Sequence, residues 1–508
     1  MKKSRTHYAV LNSTVSSVIF IVNTILRFVM RSVFIFYLGK EYLGINSLFT
    51  SVIGVLSLSE LGIGGAIVYS LYRPLAEDDR VKIKSLIVLY KRIYRLIGLI
   101  VAVLGLLLLP FLPQITNHST LPHLVMIYLL FLFNSVSSYF FAYNASLLNA
   151  DQKGYVITIN NFIFSVFTFV FQLIFLIWTK NFVAYLLVSV VFTMLGNIVL
   201  MVKAHREYRY LDNVKAQSLD TDTISILKKT TAGNLMDRIG GTVVDTTDNI
   251  YISMFVGLAT VGVYNNYILV AVALQGFIEQ ISASITGSLG NMAAADDGDK
   301  AYEVFLKHNF INFSLMFFCM IGLMTMLQDF IRLWVGASYI LPLTTLILIV
   351  IKLSLKIYRN TSLTFISAYG LSWNTRWKVV VECILNVGLS ALFLIPLHLG
   401  LNGVLLGTIF STILVVEWWE PYVVFKYGIK RPIGNYVKIA ILQFLSLILS
   451  CAFVYSIVRH IVVAGWIMLF VKGFCVLGLS LICFILIYGR SSEFKYMLGM
   501  VQRILRRH

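Results

Sequence analysis

Long apolar stretches, each about the length of a membrane crossing, follow one another from Leu11 to Tyr488 with short polar segments between them. About 20 apolar residues in a helix cross the hydrocarbon core of a bilayer. On that ruler the pattern predicts fourteen spanning helices, at 11–38, 43–70, 86–111, 122–148, 155–178, 182–202, 229–256, 262–291, 305–328, 341–368, 378–397, 402–425, 437–458 and 462–488. The fold class expected is an all-α polytopic membrane protein, because only helices or closed barrels satisfy the backbone within lipid.

The polar segments give the stretches an orientation. Lys and Arg gather at 1–11, 72–85, 203–229, 426–438 and 489–508, whereas the alternate connections carry only Lys40, Lys180, Arg332 and Arg459. The positive-inside rule therefore puts both termini in the cytoplasm. The apolar run behind Met1-Lys2-Lys3 is long, contains two arginines and lacks a small-x-small cleavage site, so it is expected to remain as the first span. The connections on the far side are short, which leaves no room there for a catalytic domain, so the protein's work is expected to be done within the membrane.

The longest polar segment, His205 to Lys229, reads as a linker between two six-helix halves. The expected division is an N-terminal lobe at 1–204, a cytoplasmic linker at 205–228, a second lobe at 229–428, and two extra spans with a basic tail at 429–508. The halves repeat faintly at an offset of 218 residues: Gly39 and Gly44 of YLGKEYLGI correspond to Gly257 and Gly262 of FVGLATVGV. Six is even, so the halves share an orientation, and a pseudo-twofold axis should run along the membrane normal.

Charged residues at depth in the apolar stretches change the picture. A charge at the bilayer centre costs at least ~2.5–3.5 kcal/mol unless it faces water or a partner. On a helix turning 100° per residue, Asn23, Arg27 and Arg31 share one stripe of the first span. Asp237, Arg238, Asp245 and Asp248 share about a quarter turn of the seventh. The offset sets Arg27 opposite Asp245. Glu60 precedes a glycine-rich stretch that weakens its helix, and Glu279 lies one residue from its repeat position. Lys352, Lys356 and Arg359 form a ladder on one face of the tenth span.

These groups either line a hydrophilic path or form interhelical ion pairs that lock the fold, with end residues snorkelling to the interface. Lys91, Arg92 and Arg95, and likewise Glu417 and Glu420, read as interface anchors.

Composition agrees with a membrane protein. The chain is 58% hydrophobic and 13% charged, with a mean hydropathy of +0.84, too few charges to cover a soluble globule of 508 residues. The net charge of +18 is scattered between spans and forms no basic domain, which argues against nucleic acid. The five cysteines lie in apolar stretches without metal-ligand spacing, so no disulfide, metal or other cofactor is expected. No hydrolase, transferase or nucleotide-binding motif occurs, so the chain is expected not to be an enzyme.

Several segments carry a resemblance: YLGKEYLGINSLF, LSELGIGGAIVYSLYRPLAEDD, LLNADQKGYV, DTTDNIYISMFVGLATVGVYNNY and LGLNGVLLGT. In this order, over nearly the whole chain, they resemble Wzx-type polysaccharide flippases of the multidrug/oligosaccharidyl-lipid/polysaccharide exporter superfamily. The resemblance implies two six-helix lobes in a V around a central cavity. It also implies alternating-access movement of undecaprenyl-pyrophosphate-linked oligosaccharide across the bacterial cytoplasmic membrane, in building the cell envelope.

On that reading Asn23, Arg27, Arg31, Arg238, Lys352 and Lys356 are candidates to bind the substrate. Glu60, Asp245, Asp248 and Glu279 are candidates for gating or for coupling to H+ or Na+. Membrane lipids are the other expected partners. Two alternatives stay open: a cation-coupled multidrug antiporter of the same superfamily, and a membrane-embedded polysaccharide polymerase.

Overall fold

The computed structural model describes residues 5–57, 63–220, 224, 227, 231, 243–244, 246–294 and 298–505. All regular structure among these residues is helical. Ten helices are long and apolar enough to cross a membrane, and a pair bent by 43°, Leu124–Tyr139 with Ala142–Ala150, makes an eleventh. The chain is a multi-pass membrane protein. The other three of the fourteen expected spans are not single uninterrupted helices among the described residues. Positions 43–70 are divided by the undescribed 58–62, half of 229–256 lies outside the described residues, and 341–368 break at Arg359.

The chain forms two compact units, Met1–Gly262 and Val263–His508. The first contains α1 (Arg5–Leu56), α2 (Ile63–Glu77), α3 (Arg80–Leu107), α4 (Leu124–Tyr139), α5 (Ala142–Ala150), α6 (Gly154–Thr179) and α7 (Phe182–Glu207). The division falls early in α8 (Leu258–Ala294). The second unit continues with α9 (Gly298–Val335), α10 (Leu343–Tyr358), α11 (Asn360–Ala368), α12 (Arg376–Leu394), α13 (Gly400–Ile429), α14 (Gly434–Val458), α15 (Trp466–Tyr488) and α16 (Ser492–Leu505).

Polar side chains inside these helices mostly serve the backbone. Thr24, Ser32, Thr168, Ser354 and Ser480 each donate to the carbonyl four residues back, the local bond that lets a hydroxyl sit in an apolar helix. At helix starts, Asp79 accepts from the Lys82 amide at 2.9 Å and Asn181 from the Val183 amide at 2.7 Å, N-caps that replace missing intrahelical partners.

The 218-residue offset holds well beyond the four glycines that suggest it. Applied to Arg80, Ala142 and Phe182, the starts of α3, α5 and α7, it gives Gly298, Asn360 and Gly400, the starts of α9, α11 and α13. Even the break between α4 and α5 recurs between α10 and α11.

The glycines themselves explain why the motif is tight. Gly39 breaks α1 at φ 78°, and Gly257 precedes α8 at φ 118°, conformations that L side chains avoid. Within the first unit, a Cβ on Gly44 would collide with the carbonyl of Leu258, and a Cβ on Gly262 with the carbonyl of Lys40. Lys40 and Leu258 are themselves repeat mates, so the contact is reciprocal, the signature of a local twofold relation.

The two extra helices pack on α9. Asn309 donates to Gln443 of α14 at 3.1 Å. Phe317 meets Phe484 of α15 at 5.2 Å, and Lys472 of α15 pairs with Asp329 at 2.8 Å.

Candidate functional site

The arginine stripe of the first span is helical throughout. Asn23 is half-buried, Arg27 exposed and Arg31 half-buried. Nη1 of Arg31 is shielded from solvent and has no hydrogen-bond partner among the described residues. A guanidinium donor left in that state is costly and would be satisfied by an incoming anion.

Of the acidic candidates, Glu60 and Asp245 lie outside the described residues, as do Asp237 and Arg238. Asp248 is 1% exposed. Its helical stretch, 246–255, lies against the second half of α1 through small groups: Asn249 donates to Ser51 at 2.9 Å, and a Cβ on Gly54 would come within 3.2 Å of Thr246. Glu279 is exposed and accepts from Gln275, one turn away, at 2.6 Å. In the second unit Lys352 is half-buried with its ammonium 3.4 Å from the Tyr264 hydroxyl, and Lys356 is half-buried one turn on.

Arg359, the end of that ladder, is engaged differently from its neighbours. It caps α10 at the break before α11 and makes a two-pronged contact with Glu420, one arm at 3.1 Å from Nε. Lys378 pairs with Glu420 at 2.9 Å and with Glu382 at 3.2 Å, while Arg359 approaches Glu382 at 3.8 Å. Glu420 is 1% exposed, and Lys378 and Glu382 are also buried. Glu417 adds a carboxylate oxygen, Oε1, that is shielded without a hydrogen-bond partner among the described residues.

Local backbone places these groups. Glu417 to Val423 is a short α-helical piece of α13 flanked by two wide π turns, Thr412–Val416 and Val424–Ile429, and it contains Pro421. Such turns concentrate at sites where side chains must be aimed away from the regular helical face.

Glu417 and Glu420 are therefore partly or fully buried members of a charge cluster, where the sequence pattern suggests interface anchors. Arg359 does not snorkel. Lys378 and Glu382 are absent from the sequence candidates, although their i, i+4 spacing at the start of an apolar helix is a legible sign of a pair.

With this geometry established, comparisons with known proteins place the chain. A family model described as polysaccharide biosynthesis protein matches residues 9–285, more than half of the sequence. The chain belongs to that family. No curated protein sequence matches it.

Among solved structures, this family member is similar to lipid II flippase MurJ in an inward closed conformation. The TM-score is 0.66 at 16% identity, covering 93% of this chain and 98% of that one. It is also similar to an inward-facing multidrug resistance MATE family transporter of the MOP superfamily, with TM-score 0.62 and 14% identity over 79% of this chain and 94% of that one. A MOP superfamily transporter from Pyrococcus furiosus gives 0.54 at 12% identity over 84% and 96%. At these identities the likeness shows the fold: that of the MOP-superfamily transporters.

Proposed function

We propose that this protein moves a prenyl-pyrophosphate-linked oligosaccharide across the bacterial cytoplasmic membrane by alternating access, with both termini in the cytoplasm. The observation that carries the reading is the shielded Nη1 of Arg31, without a hydrogen-bond partner among the described residues and one turn from the exposed Arg27 on an apolar helix. Planar guanidinium groups bind phosphate oxygens through paired, charge-assisted hydrogen bonds. Asn23 on the same stripe would hydrogen-bond a sugar hydroxyl, and Lys352 and Lys356 are the cationic candidates of the second lobe. Family membership and the likeness to a lipid II flippase support a lipid-linked saccharide as cargo.

In this reading the lobes are 1–204 and 229–428, joined by 205–228, and coupling to H+ or Na+ falls to Asp248, Asp245, Glu60 or Glu279. Arg27→Ala with Arg31→Ala should reduce export of the lipid-linked saccharide at least about a hundredfold, since two charge-assisted bonds are lost. The protein should remain inserted. Lysine at both positions should rescue only in part. Full complementation by the double alanine variant would remove the anion-binding role.

The likeness to a multidrug transporter favours one alternative, a cation-coupled drug antiporter. There the carboxylates would form the main site, and efflux of a cationic dye that survives loss of both arginines would establish it.

A further inference from the structure

A second basic site lies away from the arginine stripe. Between α3, α5 and α7 the first unit holds a half-open cavity of about 550 Å³. Its lining includes the cations Lys84, Lys91 and Arg206 and the apolar side chains Ile87, Leu147 and Met201. Among the described residues none of these three cations makes an ion pair, and Lys91 instead stands over the Tyr143 ring at 5.7 Å. The lining carboxylate, Asp212, is engaged by His205 at 3.4 Å. The cavity therefore combines unneutralised cationic groups with apolar lining.

The repeat shows what such a cleft needs. At the offset of 218, Ile87 and Leu147 correspond to Phe305 and Phe365, and there the space is filled. Phe305 packs against Phe365 at 4.9 Å, Phe425 at 5.1 Å and Tyr436 of α14 at 5.3 Å. Lys91 corresponds to Asn309, which is bonded to Gln443 of the same added helix. In the second unit an aromatic cluster and an extra helix close the cleft. The first unit has smaller apolar residues in place of the aromatics, and in place of the amide a lysine, Lys91, that makes no ion pair among the described residues.

We infer that this cavity binds an anionic phospholipid, its phosphate between Lys84, Lys91 and Arg206 and its acyl chains along the apolar lining residues and the exposed Leu99, Val103 face of α3. Basic pockets between membrane helices take such head groups, and the apolar lining continued by that exposed face favours an acyl chain over free phosphate.

Thermal unfolding of the full chain in detergent, titrated with phosphatidylglycerol, phosphatidylcholine or inorganic phosphate, tests this. Phosphatidylglycerol should raise the midpoint while the other two do not. Lys84→Gln with Lys91→Gln should weaken the response at least about tenfold, whereas Arg92→Gln with Arg95→Gln, exposed on the same helix and outside the cavity, should not. Ile87→Phe with Leu147→Phe, which copies the filled cleft, should abolish the response with the lysines intact. An equal loss in both charge variants would overturn the site as mere surface attraction. Inorganic phosphate as effective as the lipid, or an unchanged response in the filled variant, would overturn the lipid occupant.

Discussion

Helices α3 and α9 occupy the same place in the repeat and live in different surroundings. In the most apolar window of the segment containing α3, 28% of positions are buried inside the protein, against 61% in that containing α9. Leu99 and Val103 of α3 are exposed where their counterparts Phe317 and Ile321 are fully buried, Phe317 against Phe484 of the added helix α15. A contrast of charge in place of exposure stands one layer away: Asn160 of α6, buried and bonded to the Gly196 carbonyl at 3.1 Å, lies where α12 has the equally buried Lys378 in its cluster of charges. A duplicated scaffold can thus keep its helix boundaries while one copy is finished with protein and the other with lipid. Boundaries follow helix breaks and glycine contacts, and surroundings follow side-chain size and charge.

The widest gap between the copies is expected at the charge cluster. Glu420→Ala removes the carboxylate that both Arg359 and Lys378 contact most closely, leaving Glu382 and the neighbouring Glu417, and should cost ~3–5 kcal/mol in detergent unfolding. Asn160→Ala, at the position matching Lys378, removes one neutral bond and should cost about 1 kcal/mol. Similar losses at the two sites would mean that the cluster is solvated and not structural.

A comparison at the glycines should show likeness instead of difference. Gly44→Leu and Gly262→Leu each force a side chain into a facing carbonyl, and both should destabilise by ~1–3 kcal/mol and by nearly the same amount. A loss confined to one would break the reciprocal contact.

A double-mutant cycle on Asn309→Leu and Gln443→Leu should return a coupling of about 1 kcal/mol or less, as for hydrogen bonds between membrane helices, and zero coupling would undock α14 from α9 at that point. The smallest effect is expected at Leu99→Ala, within ~0.5 kcal/mol because its side chain leaves one apolar medium for another. A cost of several kcal/mol there would show a protein partner covering α3.

Much of this architecture is legible in the sequence because lipid imposes a coarse rule. Apolar length marks the spans, and Gly39 and Gly257 mark turns because few other residues adopt their backbone angles. The repeat can be read from four glycines, since backbone contact tolerates no side chain there. The cluster around Glu420 is harder to see. Lys378, Glu417 and Glu420 fall near the edges of apolar runs, where charge ordinarily meets water, and only the packing of α10, α12 and α13 reveals them as mutual partners. The broken tenth span hides for a related reason, as a helix interruption inside protein leaves the apolar pattern unaltered. Arg27 and Arg31 stand out as depth outliers. Glu60, Asp237, Arg238 and Asp245 stand out in the same way, but lie outside the described residues.

The two wide turns bracketing Glu417–Val423 give α13 a form of mechanical slack. A π turn holds one residue more than an α turn, and that surplus can pass along a helix without the helix melting. Were the extra residue at Thr412–Val416 carried through to the other side of Glu417–Val423, the intervening piece would rotate by about 100° and slide by ~1.5 Å. Glu420 would then swing off Arg359 and Lys378 while both ends of the helix stayed where they are. The direction in which Glu420 faces is thus tied to where α13 carries its surplus residues.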